Sequence, residues 1–213
     1  MSLVLDAVVL RRLGMIAYTE ALERMREFTS RRDAGTPDEL WLLEHPPVYT
    51  LGLAADRAFG PRFDNGIPVV QVERGGEVTY HGPGQAVIYT LVDLARRGIK
   101  VRDYVCLLEQ AVIDLLAGHG VRAARRAGAP GVYVEGAKIA ALGIRVSRGR
   151  AFHGLALNVG MDLSPYSAID PCGMKGLAVT QARDLGITGN VVELGTQLAN
   201  LLATQLSERV DDA

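Results

Sequence analysis

The sequence predicts an α+β fold, a mixed and largely antiparallel sheet covered by helices. Three observations carry that prediction. Short β-branched and aromatic runs recur along the chain, bounded by glycine, proline and asparagine. Three longer segments instead repeat apolar residues at helical spacing. A short polar turn, SRGR at residues 147–150, separates two of the apolar runs and signals an antiparallel hairpin.

In chain order, residues 3–10 (LVLDAVVL) read as a first strand. Residues 15–32 follow as a helix, with Ile16, Ala21, Leu22, Met25 and Phe28 on one face. Residues 40–52 (LWLLEHPPVYTLG) are strand-like, and the turn-rich stretch 55–66 leads to a strand at 67–72. A glycine-rich segment then joins or interrupts strands before the apolar run 85–94. Residues 103–120 form a helix with Val105, Leu108, Val112 and Leu115 inward, stopped by Gly118 and Gly120. Strands at 131–136, 138–146 and 152–159 come next, and then a long loop at 160–176. The last helix, 190–210, opens on Asn190 and Glu193 as a capping box and buries Val192, Leu198, Leu201, Leu202 and Leu206. No repeat or linker divides the chain, so residues 1–213 are expected to form a single catalytic domain.

Composition excludes several classes. Hydrophobic residues make up 48% and charged residues 22% of the 213, an ordinary globular balance, and no apolar run is long enough to cross a bilayer. The first residues lack the order and cleavage pattern of a signal peptide. Cys106 and Cys172 are too few for a disulfide framework and are not spaced for zinc, which fits a reducing cytoplasm. His45, His81 and His153 lack ligand spacing, so no metal site is expected. A net charge of -1 gives no general attraction to nucleic acid. Arg122, Arg125, Arg126, Arg145, Arg148 and Arg150 nevertheless make the middle of the chain basic, either a solvated face or a dock for an acidic partner.

The chemistry concentrates in a few places. Residues 74–85, RGGEVTYHGPGQ, do not fit a phosphate loop, because neither GxxxxGK[ST] nor a GxGxxG opening a helix is present. Two readings stand: a pair of tight turns, or backbone without Cβ atoms lying close to a bound chain. Cys172, in the polar loop DPCGMKG, is a candidate nucleophile, whereas Cys106 lies within an amphipathic helix and reads as an inert small hydrophobe. A free thiol has a pKa of about 8.5, so catalysis at Cys172 requires a nearby cation or base. Lys138 opens the strand AKIAALGIRV, and strict alternation places it with Ala140, Leu142, Ile144 and Val146, opposite Arg145. It either snorkels from an edge or works in a pocket. Alternation also groups His153 with Leu155 and Leu157, as a second possible base or a structural histidine.

Taken together, residues 74–89 (RGGEVTYHGPGQAVIY), 136–146 (GAKIAALGIRV), 153–159 (HGLALNV) and 171–176 (PCGMKG) closely resemble the bacterial lipoyl(octanoyl) transferases. These are the octanoyl-carrier-protein:protein N-octanoyltransferases. The resemblance spans nearly the whole chain, including EHPPVYTLG at 44–52. It implies a fold like that of biotin and lipoate protein ligases and a reaction without a cofactor. Cys172 would take octanoyl from octanoyl-acyl carrier protein as a thioester. It would pass the group to a lysine of the lipoyl domains of 2-oxoacid dehydrogenase acyltransferase subunits and of the glycine cleavage H protein. Lys138 matches the family's lysine, which lowers the thiol pKa and moves protons. By the same match Arg74, Gly75, Gly76, Glu77, Val78, Thr79, Tyr80, His81, Ala141, Leu142, Gly143, Gly154, Leu155 and Ala156 would line the acyl pocket. An octanoyl chain buried there contributes up to about 5 kcal/mol at ~0.8 kcal/mol per CH2. Three rivals remain at this stage: an ATP-dependent lipoate or biotin ligase, a non-catalytic carrier-binding module, and a cysteine hydrolase pairing Cys172 with His153.

Overall fold

The computed structural model describes residues 8–55, 60–170, 174 and 176–208, the last without its side chain. Its architecture is α+β. Seven strands form the large sheet: β1 (Val9–Met15), β2 (Glu39–Glu44), β6 (Gln85–Asp93), β10 (Arg150–Asn158), β9 (Ala137–Ser147), β8 (Gly131–Val134) and β7 (Ala124–Arg125), in that order across it. Among the described strands of this sheet, only the edge pair β1 and β2 runs parallel. A second sheet of three strands has β3 (Val48–Leu51) between β4 (Val69–Gln71) and β5 (Val78–His81).

Local chemistry explains most of these elements. The β9–β10 hairpin turns through Arg148 and Gly149, both at positive φ, which is the primed turn that matches strand twist. Helix α2 (Val101–Gly118) ends on Gly120 at φ 76. Helix α3 (Val191–Glu208) starts at the expected capping box: Asn190 N–H donates to Glu193, and Glu193 N–H donates to the Asn190 side chain. Every residue of β6 is buried, because α2 and α3 cover one face of the large sheet while α1 (Tyr18–Arg31) and the small sheet cover the other.

Several expectations need correction. The first strand includes Arg11 and Arg12 and lies later than the apolar run implied; an edge strand tolerates such charges on its exposed face, and Arg11 pairs with Glu39. Residues 3–7 of that expected strand lie outside the described residues. Residues 40–52 are two strands in different sheets, because Pro46 and Pro47 cannot donate to a ladder. The glycine segment contains a strand of its own, β5. In α3 the stripe is phased on Leu194, Leu198, Leu202 and Leu206, while Val192 is 54% exposed, since six residues before Leu198 is off the buried face.

One buried carboxylate ties the layers together. Asp38 is fully buried and accepts from Arg32 at the end of α1, from Arg96 (2.7 Å) and Arg97 just beyond β6, and from the Asp93 amide (2.9 Å). Arg97 in turn donates to the Leu206 carbonyl of α3 at 2.9 Å. Burial pushes the Asp38 carboxyl up, but the Asp93 amide, Arg32 and Arg97 outweigh it and hold it below the usual carboxylate range.

Asp38→Ala leaves three guanidinium groups facing an apolar site and is expected to destabilise the fold by about 3–5 kcal/mol, measured by denaturant unfolding at pH 7. The lowered folded pKa also fixes a sign. Its stabilisation is present above the unfolded carboxyl value of about 3.9 and is lost as pH falls through the folded value, so the gap between parent and Asp38→Asn should narrow in acid.

Candidate functional site

Between the two sheets lies a narrow cleft of about 50 Å³. One wall is the segment from Arg74 to His81, and the other is the face of the large sheet formed by β6, β9 and β10. Along it the register pairs Ala141 with Ala156, Gly143 with Gly154 and Ile144 with His153. Small residues therefore run down the middle.

Of the expected pocket residues, Arg74, Gly76, Glu77, Val78, Thr79, His81, Ala141, Leu142, Gly143, Gly154, Leu155 and Ala156 line the cleft. Gly75 and Tyr80 do not. The Gly75 N–H donates to the Ile144 carbonyl at 2.9 Å, and Tyr80 turns to the opposite side of β5, among Tyr49 and Tyr166. Tyr18, Tyr89, Asn158 and Val179 also line it. Sequence spacing could not nominate them, because they come from four separate elements.

The glycines do not simply make room for a ligand. A Cβ on Gly143 would lie 2.9 Å from the Gly75 carbonyl oxygen, and one on Gly154 would lie 2.2 Å from the Ile88 carbonyl oxygen. Gly143 lets the Arg74–His81 wall approach β9, and Gly154 lets β10 lie close against β6 within the other wall.

Lys138 is 4% exposed and reaches this cleft against the expectation from alternation. Val132 pairs with Ala140 but Tyr133 pairs with Lys138, so Ile139 is an extra residue in β9. The bulge turns Lys138 away from the helix-covered face of Ala140 and Leu142 and towards the cleft face of Ala141 and Gly143. Its ammonium donates to the Pro130 carbonyl at 3.2 Å and stands 5.2 Å from the Tyr133 ring. Residues 178–180 are laced to it by backbone: Lys138 N–H donates to the Ala178 carbonyl and Thr180 N–H to the Lys138 carbonyl. Cys172 lies outside the described residues.

His153 is re-aimed too. Its backbone adopts φ 63, a left-handed conformation, and the ring packs on Phe152 and Tyr89 at the cleft instead of following Leu155 and Leu157 into the helix-covered core. Burial lowers its pKa to about 3, with Glu73 opposing and Arg74 reinforcing the shift. His45 is lowered to about 4 by burial; its Nδ1 donates to the Ile16 carbonyl and its Nε2 accepts from Tyr89, both at 2.7 Å. His81, 2.8 Å from the Gln85 side-chain oxygen, is lowered by burial and by His45. All three are neutral at pH 7. Gln85 and Asn158 hydrogen-bond to each other and to Tyr166, holding β6 and β10 to the loop beyond. Among the described residues no group of three His, Cys, Asp or Glu is placed to hold a metal ion.

The basic middle of the sequence separates in space. Arg125 sits on the edge strand β7, tied to Glu109 at 3.1 Å, whereas Arg145 and Arg148 are exposed at the far end of β9 and Arg150 turns to Asp93.

Residues 17–199 match the family model described as the lipoyl protein ligase A/B catalytic domain. An octanoyltransferase of Aromatoleum aromaticum is 59% identical over 92% of this chain and 84% of that protein. One of Dechloromonas aromatica is 55% identical over 94% and 98%. Among solved structures, a putative lipoate protein ligase from T. acidophilum with bound lipoic acid superposes with a TM-score of 0.72 at 18% identity, covering 95% of this chain and 86% of that one. A biotin protein ligase from Aquifex aeolicus in complex with biotin and ATP gives 0.59 at 11%, covering 96% and 73%. Those two show the shared fold. The chain thus belongs to the lipoyl protein ligase A/B catalytic-domain family and, within it, to the octanoyltransferases.

Proposed function

We propose that this chain, acting as one catalytic domain, moves an octanoyl group from octanoyl-acyl carrier protein to the lysine of a lipoyl domain through a thioester on Cys172. The observation that carries the reading is Lys138, a buried amine turned by a strand bulge into an apolar cleft lined by small residues. A buried lysine at the wall of a cleft is suited to an acid–base or charge-stabilising role.

In the first half-reaction the Cys172 thiolate attacks the donor's thioester carbonyl, and the carrier's thiol leaves with a proton from Lys138. In the second, the neutral amine of the acceptor lysine attacks the acyl-enzyme carbonyl, an amide forms, and Cys172 leaves as the thiolate. Lys138 takes the excess proton of the amine. No activation by ATP is needed, because a thioester donor and an amide product make the transfer downhill. The chain around Cys172 supports the assignment: Val179, seven residues further on, bridges Lys138, and Asp170, two residues before, is held by Arg62 at 2.8 Å.

Intact mass spectrometry with octanoyl-acyl carrier protein should show one octanoyl adduct on the parent, none on Cys172→Ala, and movement of the adduct to a lipoyl domain on mixing. Transfer at the parent rate by Cys172→Ala would end the proposal. Replacement of Lys138 by Ala should lower turnover by roughly 10²–10⁴-fold with the cleft still able to bind the chain. Gly131 offers a subtler check. It stands at φ 143, and an added Cβ would lie 2.8 Å from the Ala140 carbonyl oxygen of β9, 3.0 Å from Lys138 Cε and 3.2 Å from Nζ. In a folded Gly131→Ala protein the displaced ammonium should lower kcat by about 100-fold while KM changes little.

A further inference from the structure

His153 is 1% exposed, lines the cleft, and neither of its ring nitrogens has a hydrogen-bond partner among the described residues. The neighbouring histidines differ: His45 is satisfied on both nitrogens, and His81 is held by Gln85. A neutral imidazole carries one donor and one acceptor, and burying both unpaired is unfavourable unless something in the cleft meets them.

Its position along the cleft matters equally. His153 pairs with Ile144 of β9, six residues beyond Lys138 and, allowing for the bulged residue, roughly 16 Å further along the strand. An acyl group with its carbonyl at Lys138 that followed the cleft past Ala141 and Ala156 would point its far end towards His153.

We propose that His153 sets the length of the acyl chain by polarity, not by bulk. A medium-length chain stops short and leaves a water molecule at the imidazole. A longer hydrocarbon displaces that water and offers no hydrogen bond in exchange. The ligand class assigned to this subsite is thus the polar neighbour of a medium-chain acyl group: water, or a hydroxyl on the chain's own far end. The inference rests on the acyl-transfer reading for the identity of the chain.

Two substitutions separate polarity from bulk. His153→Leu keeps similar volume and removes both polar atoms, while His153→Asn is smaller, remains polar and suits the left-handed backbone. Calorimetry with octanoate and dodecanoate as probes gives the ratio of their dissociation constants in the parent and in each folded variant. Parent and His153→Asn should both favour octanoate. In His153→Leu the preference should shift about tenfold towards dodecanoate, the scale of one unmet buried hydrogen bond. The opposite pattern, with His153→Asn admitting dodecanoate or His153→Leu keeping the parent ratio, overturns the inference. If His153→Leu does not fold, His153→Asn alone decides it. Turnover with octanoyl-acyl carrier protein is measured separately. Absence of transfer with length-selective binding intact defeats the proposed reaction and leaves this inference standing.

Discussion

The cleft exists because the backbone of Gly75 lies directly on β9. Its N–H donates to the Ile144 carbonyl, and Gly143, opposite, has no Cβ to hold the segment off. The contact fastens the three-stranded sheet to the seven-stranded one at the level where the small residues of β9 and β10 lie side by side. Arg74 reinforces it from within the small sheet: its guanidinium donates to the Thr50 carbonyl and hydroxyl and to the Gly75 carbonyl. A side chain at either glycine would open the space between the sheets, and with it both walls of the cleft. The glycine-rich segment is therefore a fastener that also forms one wall of the cleft, which joins the two readings its sequence left open.

Elements that depend on neighbours in sequence were legible. The capping box at Asn190, the Arg148–Gly149 turn and the apolar face of α2 each rest on signals within a few residues, and the fold class followed from them. The failures share a physical cause. Lys138 and His153 reach the cleft only because β9 carries one extra residue and His153 adopts a left-handed conformation. Strict alternation sends both side chains to the helix-covered face. Neither departure has a local signature, since Ile139 and His153 are ordinary strand residues; each is imposed by the partner strands. Most of the residues that the resemblance nominated line the cleft, while Tyr18 and Tyr89, from α1 and β6, line it without having been nominated.

The two departures also divide the labour of the site. Burial leaves His45, His81 and His153 neutral, so none of them adds positive charge beside the apolar cleft. An imidazole lowered to about 3 is also a weak base. The separation of His153 from Lys138 along β9 removes it further from any chemistry conducted at the lysine's end. Neutral, without a hydrogen-bond partner among the described residues and well along β9 from Lys138, His153 is poorly placed to act as a base beside that lysine. What it can do is discriminate among ground states: a buried donor and acceptor in the lining of the cleft penalise whatever covers them without replacing their hydrogen bonds. On the proposed reading, strand irregularity serves both ends of one acyl chain, with Lys138 turned in beside the reacting carbonyl and His153 turned in at the far end.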